Sequence, residues 1–163
     1  MSEIAIRRAG DADVAALAAL RSEWTREWGG AGDDPAFGER FAAWFEQDGA
    51  RRVTWLAAHD ARAVGMVNLA VFERMPQPGR APSRWGYLAN AFVLAAHRDR
   101  GIGGRLLDAL LRYADENDFA RVVLSPSERA IPFYLRAGFR PADFLLVRLP
   151  PEPDGRSGPD VGA

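Results

Sequence analysis

Ile4 and Ile6 alternate with Ala5 and Arg7, a period of two that predicts a short first strand, and Asp11 or Asp13 stands where a following helix would be capped. Val14, Leu17, Leu20, Trp24 and Trp28 then recur at steps of three and four, which places them on one helix face until Gly29, Gly30 and Gly32 stop it. Asp34-Pro35 reads as an N-cap followed by proline at the first helical position. Phe37, Phe41, Trp44 and Phe45 mark an aromatic face on that second helix, which ends near Asp48-Gly49. Such a face either packs in a core or lines a pocket.

Residues 53–59 and 63–72 read as two strands joined by Asp60-Ala61-Arg62, a β-hairpin. Pro76, Pro78, Gly79 and Pro82 make 74–84 a loop, and 85–94, rich in aromatic and branched residues, a fourth strand. Ile102, Leu106, Leu107, Leu110, Leu111 and Ala114 give an amphipathic helix with Asp108 and Arg112 as a surface pair. Val122-Val123-Leu124 is a short buried strand of the parallel type. A helix over 131–136 closed by Gly138 and a last strand over 144–149 complete the pattern. The order predicts one α/β (α+β) domain over residues 1–149. The Pro- and Gly-rich stretch 150–163 is expected to be a disordered tail.

A chain of 163 residues suits a single domain, and 48% hydrophobic with 26% charged residues is the mixture of a soluble globular core. The absence of cysteine excludes disulfides, thiolate metal sites and a cysteine acyl-enzyme. His59 and His97 are too far apart in sequence for a paired-histidine metal motif, so no metal is expected. All 21 basic residues are arginine, which excludes lysine Schiff bases and the lysine of a phosphate loop. A net charge of -1 gives no general attraction to nucleic acid or to an anionic membrane. Residues 1–4 do not begin a secretory leader and no run approaches the ~18 apolar residues of a membrane span, so a cytoplasmic location is expected.

Candidate chemistry gathers after the fourth strand, in His97-Arg98-Asp99-Arg100-Gly101-Ile102-Gly103-Gly104. Glycines allow backbone N–H groups to converge, and the positive end of the following helix adds to them, which makes an anion site suited to a pyrophosphate. Arg98, Arg100 and Arg105 bring further positive charge. Leu106 stands where the dinucleotide fingerprint needs its third glycine, and the Walker loop needs a lysine, so neither motif fits. What remains is Arg-x-x-Gly-x-Gly.

Read from Val93 as Val-x-x-x-x-Arg-x-x-Gly-Ile-Gly-Gly, with Leu106-Leu107 behind it, this segment resembles the acetyl-CoA motif of the GNAT N-acetyltransferase superfamily. A second match lies in Ala130-Ile131-Pro132-Phe133-Tyr134-Leu135-Arg136-Ala137-Gly138-Phe139, which is similar to that family's Ala-x-x-x-Tyr-x-x-x-Gly-Phe segment. The resemblance implies a mixed, mostly antiparallel sheet splayed between strands 4 and 5, with acetyl-CoA as acyl donor in the gap. It implies pyrophosphate binding by main-chain groups of Arg100, Gly101, Ile102, Gly103 and Gly104. It also implies pantetheine pairing with Phe92, Val93 and Leu94, and Tyr134 near the sulfur. A phenol with pKa near 10 can protonate a departing thiolate.

Where many relatives carry asparagine this chain has Ser127, and where many carry a glutamate on the fourth strand it has no acid between Trp85 and Leu94. The base is then sought among Glu27, Asp33, Asp34 and Glu73, with Tyr87 and Asn90 as positioning groups. Only one strand is expected after Gly138-Phe139, where many relatives have two, so the acceptor site is either open or completed by a second subunit, as a homodimer. Arg74, Arg80 and Arg84 sit in a loop without acids, while Glu27, Asp33 and Asp34 cluster elsewhere. That pattern suggests a small-molecule amine that also carries an acidic group. The expected activity is acetyl transfer to a primary amine by direct attack. The alternative is a non-catalytic acyl-CoA sensor of the same fold.

Overall fold

The structure, a computed structural model, describes residues 3–151. The chain divides into two compact units, Met1–Leu124 and Ser125–Ala163. The first carries the strands β1 (Ile4–Arg8), β2 (Arg52–His59), β3 (Arg62–Glu73), β4 (Arg84–Val93) and β5 (Val122–Val123), with the helices α1 (Val14–Glu27), α2 (Phe37–Asp48) and α3 (Ile102–Glu116). The sheet order is β1-β2-β3-β4-β5, antiparallel throughout except for the parallel pair β4 and β5.

The entry into α1 is fixed by a carboxylate. Asp13 accepts two bonds from Arg7, at 2.8 and 2.7 Å, and one from the Gly10 N–H at 2.9 Å. Of the two aspartates expected there, Asp13 organises the turn, reaching back to Gly10 instead of forward into α1. Gly29, with φ +79°, ends α1, because only glycine adopts this left-handed conformation without strain.

Hydrophobic burial then orders the layers. α1 sinks Leu17, Leu20 and Trp24 into a cluster with Leu56, Met66 and Phe92. α3 buries Ile102, Leu106, Leu107, Leu110 and Ala114 and packs on β2, β3 and β4. With helices on it, β3 is buried continuously through Val64, Gly65, Met66, Val67, Asn68, Leu69 and Ala70. Each large apolar side chain so covered contributes roughly 1.5–3 kcal/mol. The β2–β3 hairpin closes at His59 opposite Arg62, so its loop is the two residues Asp60 and Ala61, both with positive φ, and not the three expected.

β4 departs from a regular, fully paired strand in two ways. Met66 faces Phe92 while Asn68 faces Ala89, so two steps along β3 meet three along β4, a bulge at which Asn90 takes φ +54°. On the other edge, β5 pairs only at Gly86 with Val122 and Tyr87 with Val123. Beyond Tyr87, β4 has no ladder partner on that side among the described residues. The fourth and fifth strands therefore part as expected.

The second unit holds a 3-10 turn, Glu128–Ala130, and the short helix α4 (Ile131–Arg136), ended by Gly138 at φ +93°. The strand expected over 144–149 is absent: Leu145, Leu146, Val147 and Leu149 are exposed, and no ladder reaches them. Branched and apolar residues favour a strand only where a neighbour pairs with it, and none does so here among the described residues. The expected tail lies, from residue 152 on, outside the described residues. Among the described residues no helix is long and apolar enough to cross a membrane.

Candidate functional site

The segment after β4 is built by backbone geometry. The Leu94 N–H bonds to Val64 O at 2.9 Å, and a 3-10 turn, Ala95–His97, closes with His97 N–H on Leu94 O at 2.8 Å. Asp99 at φ +59° and Gly101 at φ +73° then reverse the chain twice, and Gly101 becomes the N-cap of α3. The first amides of a helix have no acceptor within it, so those of Ile102, Gly103 and Gly104 form the positive end of a helix of 15 residues. A Cβ placed on Gly101 or on Gly104 would meet nothing within 4 Å. A phosphate can approach both glycines closely, so the turn fits the group implied by the sequence.

Strand alternation decides which main-chain groups at the end of β4 are available. Leu94 is spent on Val64, and Phe92 O lies 3.1 Å from where a Cβ of Gly65 on β3 would stand, so these two residues face β3. Val93 faces the edge that β5 leaves unpaired, and its carbonyl accepts a bond from Arg98 Nε at 3.0 Å. Of the three residues expected along pantetheine, Val93 is the one whose main chain turns outward.

Arg98 is tied on both sides. Its Nη2 donates to Glu27 Oε2 at 2.6 Å and its Nη1 to Glu27 Oε1, so a bidentate pair joins the turn to the end of α1. The pair holds the Arg98 guanidinium above its usual pKa. Arg98 also lies 5.6 Å from the ring centre of Phe92, which stacks on Trp24 at 5.6 Å, and Arg21 covers Trp24 at 4.5 Å. Two guanidiniums thus bracket an aromatic pair. Arg100 and Arg105 are exposed. His97 packs edge-on against His59, its Nδ1 buried without a hydrogen-bond partner, and burial, then Arg100, His59 and Arg62, hold its pKa down.

A cleft of about 250 Å³ lies beside the bulge of β4. Leu17 and Arg21 from α1, Phe37, Arg40, Phe41, Trp44 and Phe45 from α2, and Thr54, Met66, Asn68 and Asn90 from the strands line it. None of the α2 residues is fully buried. The aromatic stripe seen in the sequence does both things expected of it: Phe41 and Phe45 are half-buried against the core cluster, and all four aromatics also line this cleft. A wider cleft of about 710 Å³ on another side of α2 includes no residue of β3, β4 or the turn.

The other candidates are dispersed. Asn90 lies in the cleft wall. Tyr87 sits on β4 between Ala70 and Val123. Glu73 and Arg84 face each other, 3.9 Å apart, where β3 ends and β4 begins, and neither lines the cleft. Asp34 binds Arg40 at 2.6 Å and Asp33 lies 3.8 Å from Arg26. In the second unit, Ser127 precedes the 3-10 turn without a capping bond from its side chain. Tyr134 is buried with its ring edge-on to Phe133 and Phe139, and burial pushes its phenol up. Sequence reasoning missed Arg21 and Arg40. The signal for Arg21 was a charge inside the apolar stripe, four residues after Leu17 and three before Trp24. Among the described residues no cluster of three or more His, Asp or Glu side chains could hold a metal.

Comparison with known proteins bears on this geometry. The chain is 33% identical over 74 residues to an uncharacterized N-acetyltransferase of Bacillus subtilis, covering 44% of this chain and 53% of that protein. It is 30% identical over 79 residues to the glucosamine 6-phosphate N-acetyltransferase of Trypanosoma brucei brucei, covering 48% and 52%. Those matches span about half the length of each relative. A predicted acetyltransferase from Clostridium acetobutylicum, crystallised with acetyl-CoA, shares the fold with TM-score 0.73 at 21% identity, covering 90% of this chain and 96% of that one. The family model described as the Acetyltransferase (GNAT) family matches residues 17–139, and with the parted β4 and β5 and the glycine turn that its motif encodes, this chain belongs to that family.

Proposed function

We propose that residues 1–149 form an acetyl-CoA-dependent N-acetyltransferase that acetylates the primary amine of a small molecule by direct attack. The observation that carries this reading is the turn of 98–104: left-handed residues at Asp99 and Gly101, glycines open to approach, and the start of α3 behind an unpaired strand edge. Main-chain N–H groups of Arg100 through Gly104 would hold the pyrophosphate, with Val93 on the pantetheine arm and Ser127 as a further contact. Acetyl-CoA supplies a thioester activated toward amines.

The residues of the chain have the remaining tasks. The acceptor amine must lose its proton, for which Glu27, Asp33, Asp34 and Glu73 are the proposed groups, acting through water where they stand away. Glu27 has both oxygens on Arg98, so its use as base requires that pair to open. As the new C–N bond forms and the C–S bond breaks, the nitrogen sheds a second proton and the departing sulfur takes one. Tyr134 is the proposed donor to sulfur, and the proton shed by nitrogen restores its phenol, so the net release is the ammonium proton taken by the base. Its raised pKa keeps the phenol protonated at neutral pH. The experiment is thiol release from acetyl-CoA across an amine panel, with the acetylated product identified by mass. Thiol release that requires an amine, with one acetyl gained per thiol, supports the enzyme. Binding of acetyl-CoA without transfer to any amine leaves the acyl-CoA sensor.

A further inference from the structure

We propose that the acceptor is an apolar amino acid or a close analogue, its hydrocarbon or aromatic body on the α2 stripe and its carboxylate held by Arg21, with Arg40 beside it. This inference rests on the N-acetyltransferase reading and names the substrate class of that site.

Arg21 and Arg40 line the cleft, and no Asp or Glu does. An acceptor with several cationic groups would be repelled there, while an anionic group is drawn in. Arg21 has no carboxylate partner among the described residues and rests on the Trp24 ring. A guanidinium stacked on an indole keeps its in-plane N–H donors for a planar, two-oxygen acceptor. Arg40 is already bonded to Asp34, an exposed pair, so it is the secondary contact.

The rest of the lining favours an apolar body. Leu17, Phe37, Phe41, Phe45 and Met66 offer apolar surface and Trp44 an indole, while the strands add Thr54, Asn68 and Asn90, of which Asn68 Oδ1 already accepts from Arg52. An aliphatic or aromatic side chain gains by burial on the helix side, where most hydroxyls of a sugar ring would lose water without a partner. At about 250 Å³ the cleft holds one small body. Asn90, on the bulge two residues before Phe92, brings the cleft to the donor strand, so an amine adjacent to the carboxylate has a short reach. The acidic group expected from the sequence thus finds its cations on α1 and α2. Arg84 is engaged with Glu73 and lies over Phe119.

The test compares phenylalanine, leucine, phenethylamine, glucosamine 6-phosphate and spermidine as acceptors, read by thiol release. In parallel, N-acetylphenylalanine is titrated by tryptophan fluorescence, which needs no turnover. Phenylalanine or leucine should give the highest kcat/KM, exceeding phenethylamine by about tenfold or more for a bidentate contact. In Arg21→Gln that preference should fall toward unity, and Arg21→Lys should restore part of it. N-acetylphenylalanine should bind wild type and bind Arg21→Gln about tenfold less tightly, while circular dichroism shows both folded. Preference for spermidine or glucosamine 6-phosphate, or a carboxylate preference unchanged in Arg21→Gln, overturns the proposal while thiol release upholds the enzyme. Absence of thiol release with every amine, together with Arg21-dependent binding of N-acetylphenylalanine, overturns the enzyme reading and keeps the assignment of the cleft.

Discussion

The turn of residues 94–101 continues β4, the helix pair α1 and α2 flanks the cleft that Asn90 of β4 lines, and the two are made of different material. The turn works through its backbone: two positive φ values, a bulged strand before it and free helix amides after it. The helix pair presents side chains: the aromatic row and Arg40 on α2, which buries none of its residues, and Arg21 on α1. Backbone geometry of this kind tolerates few residue types, so it fixes a ligand class. A helix face accepts many side chains, so it can change its ligand without changing the fold. The same division is expected in function, with donor binding set by the turn and acceptor choice by the helices.

The largest effect expected is on the chemical step, which should be separable from both regions. Tyr134→Phe removes a proton donor and almost no volume, so kcat should fall by roughly 10²-fold or more, as for loss of a general acid. Acetyl-CoA affinity by calorimetry should change little. Wild-type turnover in that variant would leave Tyr134 as an aromatic packed between Phe133 and Phe139.

A smaller effect tests whether the two regions are independent, since Arg98 and Glu27 join them. Glu27→Gln removes the charge from a pair whose side chains are both about a third exposed (35% and 34%), so the cost in stability should be no more than about 1 kcal/mol. For a chain of this size that is a fall in Tm of about 2–4 °C. If the pair only braces the turn, KM for acetyl-CoA should rise a few-fold with kcat preserved. If Glu27 is also the base, kcat must fall as well and its pH profile must change.

How much of this was legible in the sequence divides along the same line. The period-two and period-3.6 patterns located β1, α1 and α3, because one face of each is the more buried and burial is what periodicity records, whereas β3, buried continuously from Val64 to Ala70, was legible as an apolar run set off by a polar link. The turn carrying Arg98, Gly101, Gly103 and Gly104 was legible because the family motif it resembles sets those residue types at fixed spacing; its binding of phosphate is part of the proposal. The bulge was not, although asparagine at position 90 is among the residues that tolerate a left-handed conformation. Residues 144–149 look like a strand and are not one, because a strand is a property of a pair and the sequence of one segment does not name its partner. Arg21 and Arg40 escaped notice because an arginine on a helix resembles solvated charge until the neighbouring helix shows what it borders.

The smallest effects should separate the regions by pH. His97, next to the turn, is held below its usual pKa, so the unfolded chain takes up that proton first as pH falls through about 6.5. Its contribution is present above that pH and lost below it. Asp13, at the entry to α1, is lowered to about 2 by Arg7 and then the Gly10 N–H. Its contribution is present above about 4 and lost as pH falls toward 2. In Tm measured against pH, His97→Gln should flatten the slope below neutrality and Asp13→Asn the acid limb. Each variant should leave the other window unchanged.

The most direct test of the account is titration of acetyl-CoA into wild type and Gly103→Glu by calorimetry, with circular dichroism to establish that both are folded. A carboxylate at the first turn of α3 opposes the phosphates and fills their approach. The account predicts saturable binding to wild type and none to the folded variant. Equal affinity in the two, or no binding to wild type, would contradict it.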